Sequence, residues 1–165
     1  MEIKLEQKKT FIDHFNSLLP EMRSRIIIEN DEGDFSINDI IEVSKSIKPY
    51  KYESHTHTRI PICFDYFHYC CYNHNYQKDQ QKYDLQPSIQ EIFVEIYKSW
   101  KLGNKQRKPK VHLSEQSKGF RLGTHSDYIE KIPKELLREN VDIMLESKQK
   151  DLTLLKLLKK YQHLN

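Results

Sequence analysis

The chain has 165 residues, 37% hydrophobic and 31% charged, which suits a single domain spanning 1–165 with a packed core. Its 27 basic and 24 acidic side chains leave a net charge of +3, so a nucleic-acid partner would need a local basic patch rather than a strongly basic chain. No run of eighteen apolar residues and no signal-peptide core occur, and Cys63, Cys70 and Cys71 lack the spacing of a disulfide framework; membrane and disulfide-scaffold classes are excluded, and a soluble intracellular protein, nuclear or cytoplasmic, is expected.

In chain order, Phe11, Phe15, Leu18 and Leu19 recur at helical spacing over residues 7–19, and Pro20 should end that helix. "RIIIE" (25–29) is a short β-branched run that passes straight into Asn30 and Asp31. Ser36 is placed to cap a helix whose apolar side carries Ile37, Ile40, Ile41 and Ile47. "IPICFD" (60–65) is a second strand, and "PSIQEIFVEIYKSW" (87–100) a helix with Ser88 and Glu91 in capping-box register. "KVHLS" (110–114) and "VDIMLE" (141–146) are two further strands, separated by a short helix at "PKELLREN". "KDLTLLKLLKKY" (150–161) closes the pattern as an amphipathic helix.

Strands that alternate with helices and are apolar nearly throughout predict parallel βα units, with the sheet covered by helices. Four such units are half of an eight-stranded barrel, or an open parallel sheet of four strands with conventional loops. In such folds the working groups lie at the C-terminal ends of the strands. Glu29, Asp65 with His68, and Glu146 follow three of the strands. Lys110 and His112 lie two apart on the remaining strand, hence on one face of it, and His125 is in the loop that follows. Carboxylates and imidazoles gathered on one rim can bind divalent metals such as zinc, manganese or iron.

Three other groups look chemical but are placed less well. His55 and His57 in "ESHTHTR" precede a strand and are read as part of a solvated loop on the far face. The basic run "KLGNKQRKPK" (101–110) also precedes its strand and is read as a solvated connection. Cys70, Cys71 and His74 match no standard zinc spacing and are read as loop packing.

Five segments in order, "ENDEGDFS" (29–36), "IPICFDYFH" (60–68), "KVHLSEQ" (110–116), "THSDYI" (124–129) and "VDIMLESKQKDLTLL" (141–155), resemble the C-terminal half of the UV-damage endonucleases. These are manganese-dependent DNA repair enzymes with a TIM-barrel fold. The resemblance implies the last four strands of such a barrel. It also implies metal-dependent cleavage of damaged double-stranded DNA on the 5′ side of a UV photoproduct or abasic lesion. By position it implies Glu29, Asp65, His68, His112, His125 and Glu146 as ligands of Mn2+, with Zn2+ or Mg2+ as other ions of suitable charge. Glu29 would bridge two ions, and Lys110 would join the set if carboxylated. Asn30, Arg121 and Tyr128 are expected to meet DNA. The family's first four βα units and two of its histidine ligands have no counterpart in these segments. The resemblance therefore also implies a partner, either a separate N-terminal half chain or a second copy. Two further readings stand beside it: a partner-dependent subunit that binds metal or DNA without cutting, and a metal-dependent sugar isomerase on the same superfold.

Overall fold

A computed structural model of the protein describes residues 2–162. The chain begins with α1 (Glu2–Ser17) and the single turn α2 (Pro20–Arg23). Pro20, expected only to end a helix, starts the second one, where its missing N–H is not needed. β1 (Ile28–Glu29) is followed by α3 (Ile37–Lys45). The start of α3 is fixed by a capping box: Ser36 Oγ accepts from the Asp39 N–H, and the Asp39 carboxylate accepts from the Ser36 N–H. Next come β2 (Tyr50–Tyr52), β3 (His55–His57), β4 (Ile62–Asp65), α4 (Tyr66–Lys78) and α5 (Ile89–Trp100), the last with the expected Ser88 and Glu91 box. β5 (Lys101–Leu102), β6 (Lys105–Gln106), β7 (Lys110–Leu113), α6 (Lys134–Leu137), β8 (Asp142–Leu145) and α7 (Lys150–Tyr161) complete the order. No described helix is long and apolar enough to cross a membrane.

The four apolar runs form one parallel sheet in the order β1-β4-β7-β8. Side chains alternate along each strand, and paired residues of a parallel sheet share a face, so the register sorts every strand residue to one side. Ile28, Ile62, Phe64, Val111, Leu113, Ile143 and Leu145 point one way, into a core completed by Ile40 and Ile41 of α3, Ile92, Phe93 and Ile96 of α5, and Leu157 of α7. Each fully buried Ile or Phe in that layer contributes about 1.5–3 kcal/mol relative to exposure. Two polar contacts clamp α5 to the start of β4: Trp100 Nε1 donates to the Ile62 carbonyl at 2.7 Å, and the Ile62 N–H donates to Ser99 Oγ at 3.1 Å. Glu29, Cys63, Asp65, Lys110, His112, Asp142 and Met144 point the other way.

Two loop expectations are corrected, and the solvated basic connection gains a hairpin. The "ESHTHTR" segment is not a solvated loop. It forms the antiparallel hairpin β2–β3, turned at Glu53 with φ +51°, and His57 is buried with its ring stacked 4.7 Å from that of Tyr50. The basic run likewise pairs as the hairpin β5–β6, turned at Gly103 with φ +58°, a backbone region that glycine adopts without strain. Cys70, Cys71 and His74 lie within α4, which begins directly after Asp65. Phe67, Cys71 and Tyr72 are its buried side.

Candidate metal centre

The C-terminal ends of β1, β4 and β7 bring three ligand-type side chains together. One ligand atom each from Glu29, Asp65 and His112 lies within 4.8 Å of the others. Asp65 holds the middle position because it is both the last residue of β4 and the N-cap of α4. Its Oδ1 accepts the His68 N–H at 2.8 Å, while its Oδ2 is buried without a partner. Burial pushes the Asp65 carboxyl up to about 7; the His68 N–H and imidazole oppose that rise, and the neighbouring Glu29 and Glu146 charges add to it.

His112 stands among the acids. Its Nδ1 is 2.7 Å from Glu29 Oε1 and 3.2 Å from Glu146 Oε1. The Cys63 sulfur and the Glu29 carboxylate, as hydrogen-bond partners of the ring, push the His112 imidazole up to about 11 against the opposing effect of burial. A proton on His112 thus supplies positive charge among Glu29, Asp65 and Glu146. A divalent cation would supply more of the same charge to the same atoms.

Glu146 is set just beyond β8, where its N–H donates to the Leu113 carbonyl and its own carbonyl accepts Ser114 Oγ. Its Oε2 is 3.8 Å from His125 Nδ1. The His125 ring lies 5.7 Å from that of His68, centroid to centroid, and His68 Nε2 is 3.6 Å from Asp65 Oδ2. His68, His125 and Glu146 therefore border the Glu29, Asp65 and His112 trio.

Lys110 shares the open face but reaches elsewhere, with its ammonium 3.8 Å from Asp142 Oδ2. Asn30, expected to meet DNA, turns inward. It is 2% exposed, and its amide exchanges two hydrogen bonds with the Asp65 backbone, Nδ2 to the carbonyl at 2.9 Å and Oδ1 from the N–H at 3.0 Å. Arg121 is exposed beside a polar cavity of about 490 Å³ whose lining includes Glu32, Lys82 and Tyr83. Tyr128 is half-buried, with Lys156 Nζ 4.0 Å over its ring.

Two residues near the cluster escaped the reading of the sequence. Cys63 lies two before Asp65 on β4, and that spacing alone puts it on the same face. Glu32 brings its Oε2 to 2.7 Å from His68 Nδ1. Nothing in "ENDEG" points across 36 residues to that contact.

The donor set suits a divalent metal. The buried Asp65 Oδ2 lacks a partner, and an unpaired buried carboxylate oxygen is costly unless a cation meets it. The ligand atoms are two carboxylate oxygens and an imidazole nitrogen, a combination that zinc, manganese and iron accept.

Residues 2–165 match the protein family described as "UV-endonuclease UvdE". The chain is 30% identical to the UV DNA damage endonuclease of Clostridium perfringens (strain 13 / Type A), over 96% of its own length and 34% of that protein's. It is also 30% identical to a putative UV-damage endonuclease of Acanthamoeba polyphaga mimivirus, over 97% of its own length and 42% of the relative's. The crystal structure of SacUVDE superposes on 98% of this chain and 48% of that one, with a TM-score of 0.71 at 28% identity. The chain thus spans less than half the length of each of these relatives, and the family match runs through residues 2–165: it belongs to the UV-endonuclease UvdE family.

Proposed function

We propose that this protein is the metal-binding part of a DNA repair endonuclease that cuts the phosphodiester backbone on the 5′ side of a UV photoproduct or abasic lesion. One observation carries the reading: Glu29, Asp65 and His112 converge from three strands with an unpartnered, buried Asp65 Oδ2 among them. Family membership supplies the substrate class.

Glu29, Asp65, His68, His112, His125 and Glu146 would hold the metal, Mn2+ first and Zn2+ or Mg2+ by the same chemistry. When bound, the metal supplies Lewis-acid charge to the scissile phosphate and lowers the pKa of water. The chain's own residues hold that region in place. Asn30 fixes the Asp65 backbone, and the α4 N-cap bond fixes one Asp65 oxygen so that the other is presented. Arg121 would pair with a DNA phosphate and Tyr128 would pack against a base or sugar. Carboxylation of Lys110 would reverse its charge, release it from Asp142 and turn it into an anionic ligand.

Residues 1–165 form one domain in this reading, the last four βα units of a TIM-type barrel in an intracellular protein. Support comes from the sheet itself. Among the described residues β1 and β8 each pair on one side only, and one face of the sheet is lined with polar groups. Further βα units, from a separate N-terminal half chain or from a second copy, would pair with those edges.

The test is a nicking assay with Mn2+ on an end-labelled duplex carrying one photoproduct, with Glu29→Gln run in parallel. A cut 5′ of the lesion that disappears in Glu29→Gln is the expected result. A cut that persists in the variant would remove Glu29 and its neighbours from the chemistry. No cut by either protein would leave the second reading, a subunit that binds metal or DNA and depends on further βα units for cleavage.

A further inference from the structure

We infer that Glu32 is the positioning residue of His68: its carboxylate engages the imidazole at Nδ1 and so turns Nε2 toward Asp65 and the cluster. This rests on the proposed role of His68 as a ligand and adds the group that orients it.

Three features converge on Glu32. Its Oε2 lies 2.7 Å from His68 Nδ1, a buried nitrogen that has no aligned hydrogen-bond partner, while Nε2 of the same ring lies 3.6 Å from Asp65 Oδ2. At 2.7 Å the carboxylate oxygen is in direct contact with the ring nitrogen. The loop after β7 passes over the other side of Glu32 through Gly123, with φ +90°. A Cβ on Gly123 would come within 2.8 Å of Glu32 Oε1 and 3.2 Å of its Cδ, so a side chain at that position would make the Glu32 carboxylate shift. Asn75 of α4 also donates from Nδ2 to the Glu32 carbonyl at 3.3 Å, which ties its backbone to the helix that carries His68.

The chemistry follows from the imidazole. The His68 N–H of the backbone is already used by Asp65, so the start of the helix is fixed while the ring is not. A neutral imidazole has one N–H and one lone pair. A carboxylate at Nδ1 draws the proton there and leaves the lone pair on Nε2, toward the cluster. A carboxylate that orients a metal-binding histidine in this way is worth about 10–100-fold in metal affinity.

The experiment has two readouts, applied to wild type, Glu32→Ala, Glu32→Gln and His68→Ala, with circular dichroism to check folding. Long-range proton–nitrogen NMR on histidine-labelled, metal-free protein reports the His68 tautomer, and loss of a signal in His68→Ala assigns it. Calorimetric titration with Mn2+ reports affinity. We expect wild-type His68 to carry its proton on Nδ1, and Glu32→Ala to lose that preference and bind Mn2+ about 10–100-fold more weakly. Glu32→Gln, which keeps an acceptor oxygen, should recover most of both. An unchanged tautomer in Glu32→Ala would overturn the inference. So would equal losses of affinity in the Gln and Ala variants, since that pattern marks Glu32 as a ligand in its own right. If His68→Ala binds Mn2+ as tightly as wild type, the ligand reading of His68 fails, and the tautomer shift still decides whether Glu32 orients the ring.

Discussion

Glu29 Oε1 stands 2.7 Å from His112 Nδ1, although β4 runs between the strands that carry the two residues. Strands lie about 4.8 Å apart, so the two side chains must lean together across roughly 10 Å of sheet. They meet over the strand that carries Asp65 and Cys63. The contact joins acid to imidazole, and a divalent ion would compete with the His112 proton for the same carboxylates. Added Mn2+ should therefore raise the melting temperature of the protein, by about 2.7 kcal/mol of stability at a hundred times its dissociation constant. EDTA should reverse the gain, and His112→Ala should lose most of it. Thermal melts with and without metal would check this; an equal gain in His112→Ala would contradict it.

Asn30 acts on the site through the backbone of Asp65, so its loss should register as instability. Asn30→Ala removes two buried hydrogen bonds and takes from the Asp65 N–H its Asn30 acceptor. The cost should be about 2–4 kcal/mol, with weaker Mn2+ binding as a consequence. Urea unfolding measures the first and calorimetry the second. A variant as stable as wild type that had lost only DNA affinity would restore Asn30 to the DNA surface.

His57 gives the protein a pH dependence unrelated to the candidate metal centre. Burial in the β2–β3 hairpin, and then the nearby charges of Arg107, His55 and Arg23, lower its pKa below the ordinary 6.5. The fold thus favours the neutral ring, and the unfolded chain binds the proton more readily. Its contribution is complete above about pH 6.5 and is lost as pH falls from there toward the lowered folded value. Between pH 7 and pH 5 the wild-type melting temperature should fall relative to that of His57→Phe, which keeps a ring against Tyr50 and lacks the titrating group. An identical slope in the variant would assign the effect to other groups.

The four-stranded sheet, the Ser36 cap and the Ser88–Glu91 box were legible because each is local. Short apolar runs mark β1, β4, β7 and β8, and Ser36 and the Ser88–Glu91 pair reveal where α3 and α5 begin, while the reciprocal bond from Asp39 came only with the structure. The start of α4 was not, because Tyr66–Lys78 spreads aromatic and polar residues around the helix. The i, i+4 pair Phe67 and Cys71 was the available sign. The hairpins have strands of two and three residues, too short for alternation to show, although Gly103–Asn104 is a turn signal that could have exposed β5–β6. At the site, strand-end position marked Glu29, Asp65, His112 and Glu146. The clamp by Asn30 and the approach of Glu32 to His68 are contacts across 35 and 36 residues, and such contacts exist only once the sheet and α4 are assembled.

The account turns on whether the ends of β1, β4 and β7 bind a divalent metal. Titration of Mn2+ into the protein, followed by loss of the free-ion electron paramagnetic resonance signal, measures this directly in wild type and Glu29→Gln. Saturable binding in wild type that weakens at least about tenfold in Glu29→Gln is the predicted result, a tenfold change being about 1.4 kcal/mol. Absence of saturable binding, or equal affinity in the two proteins, would contradict the assignment of this cluster as a metal centre.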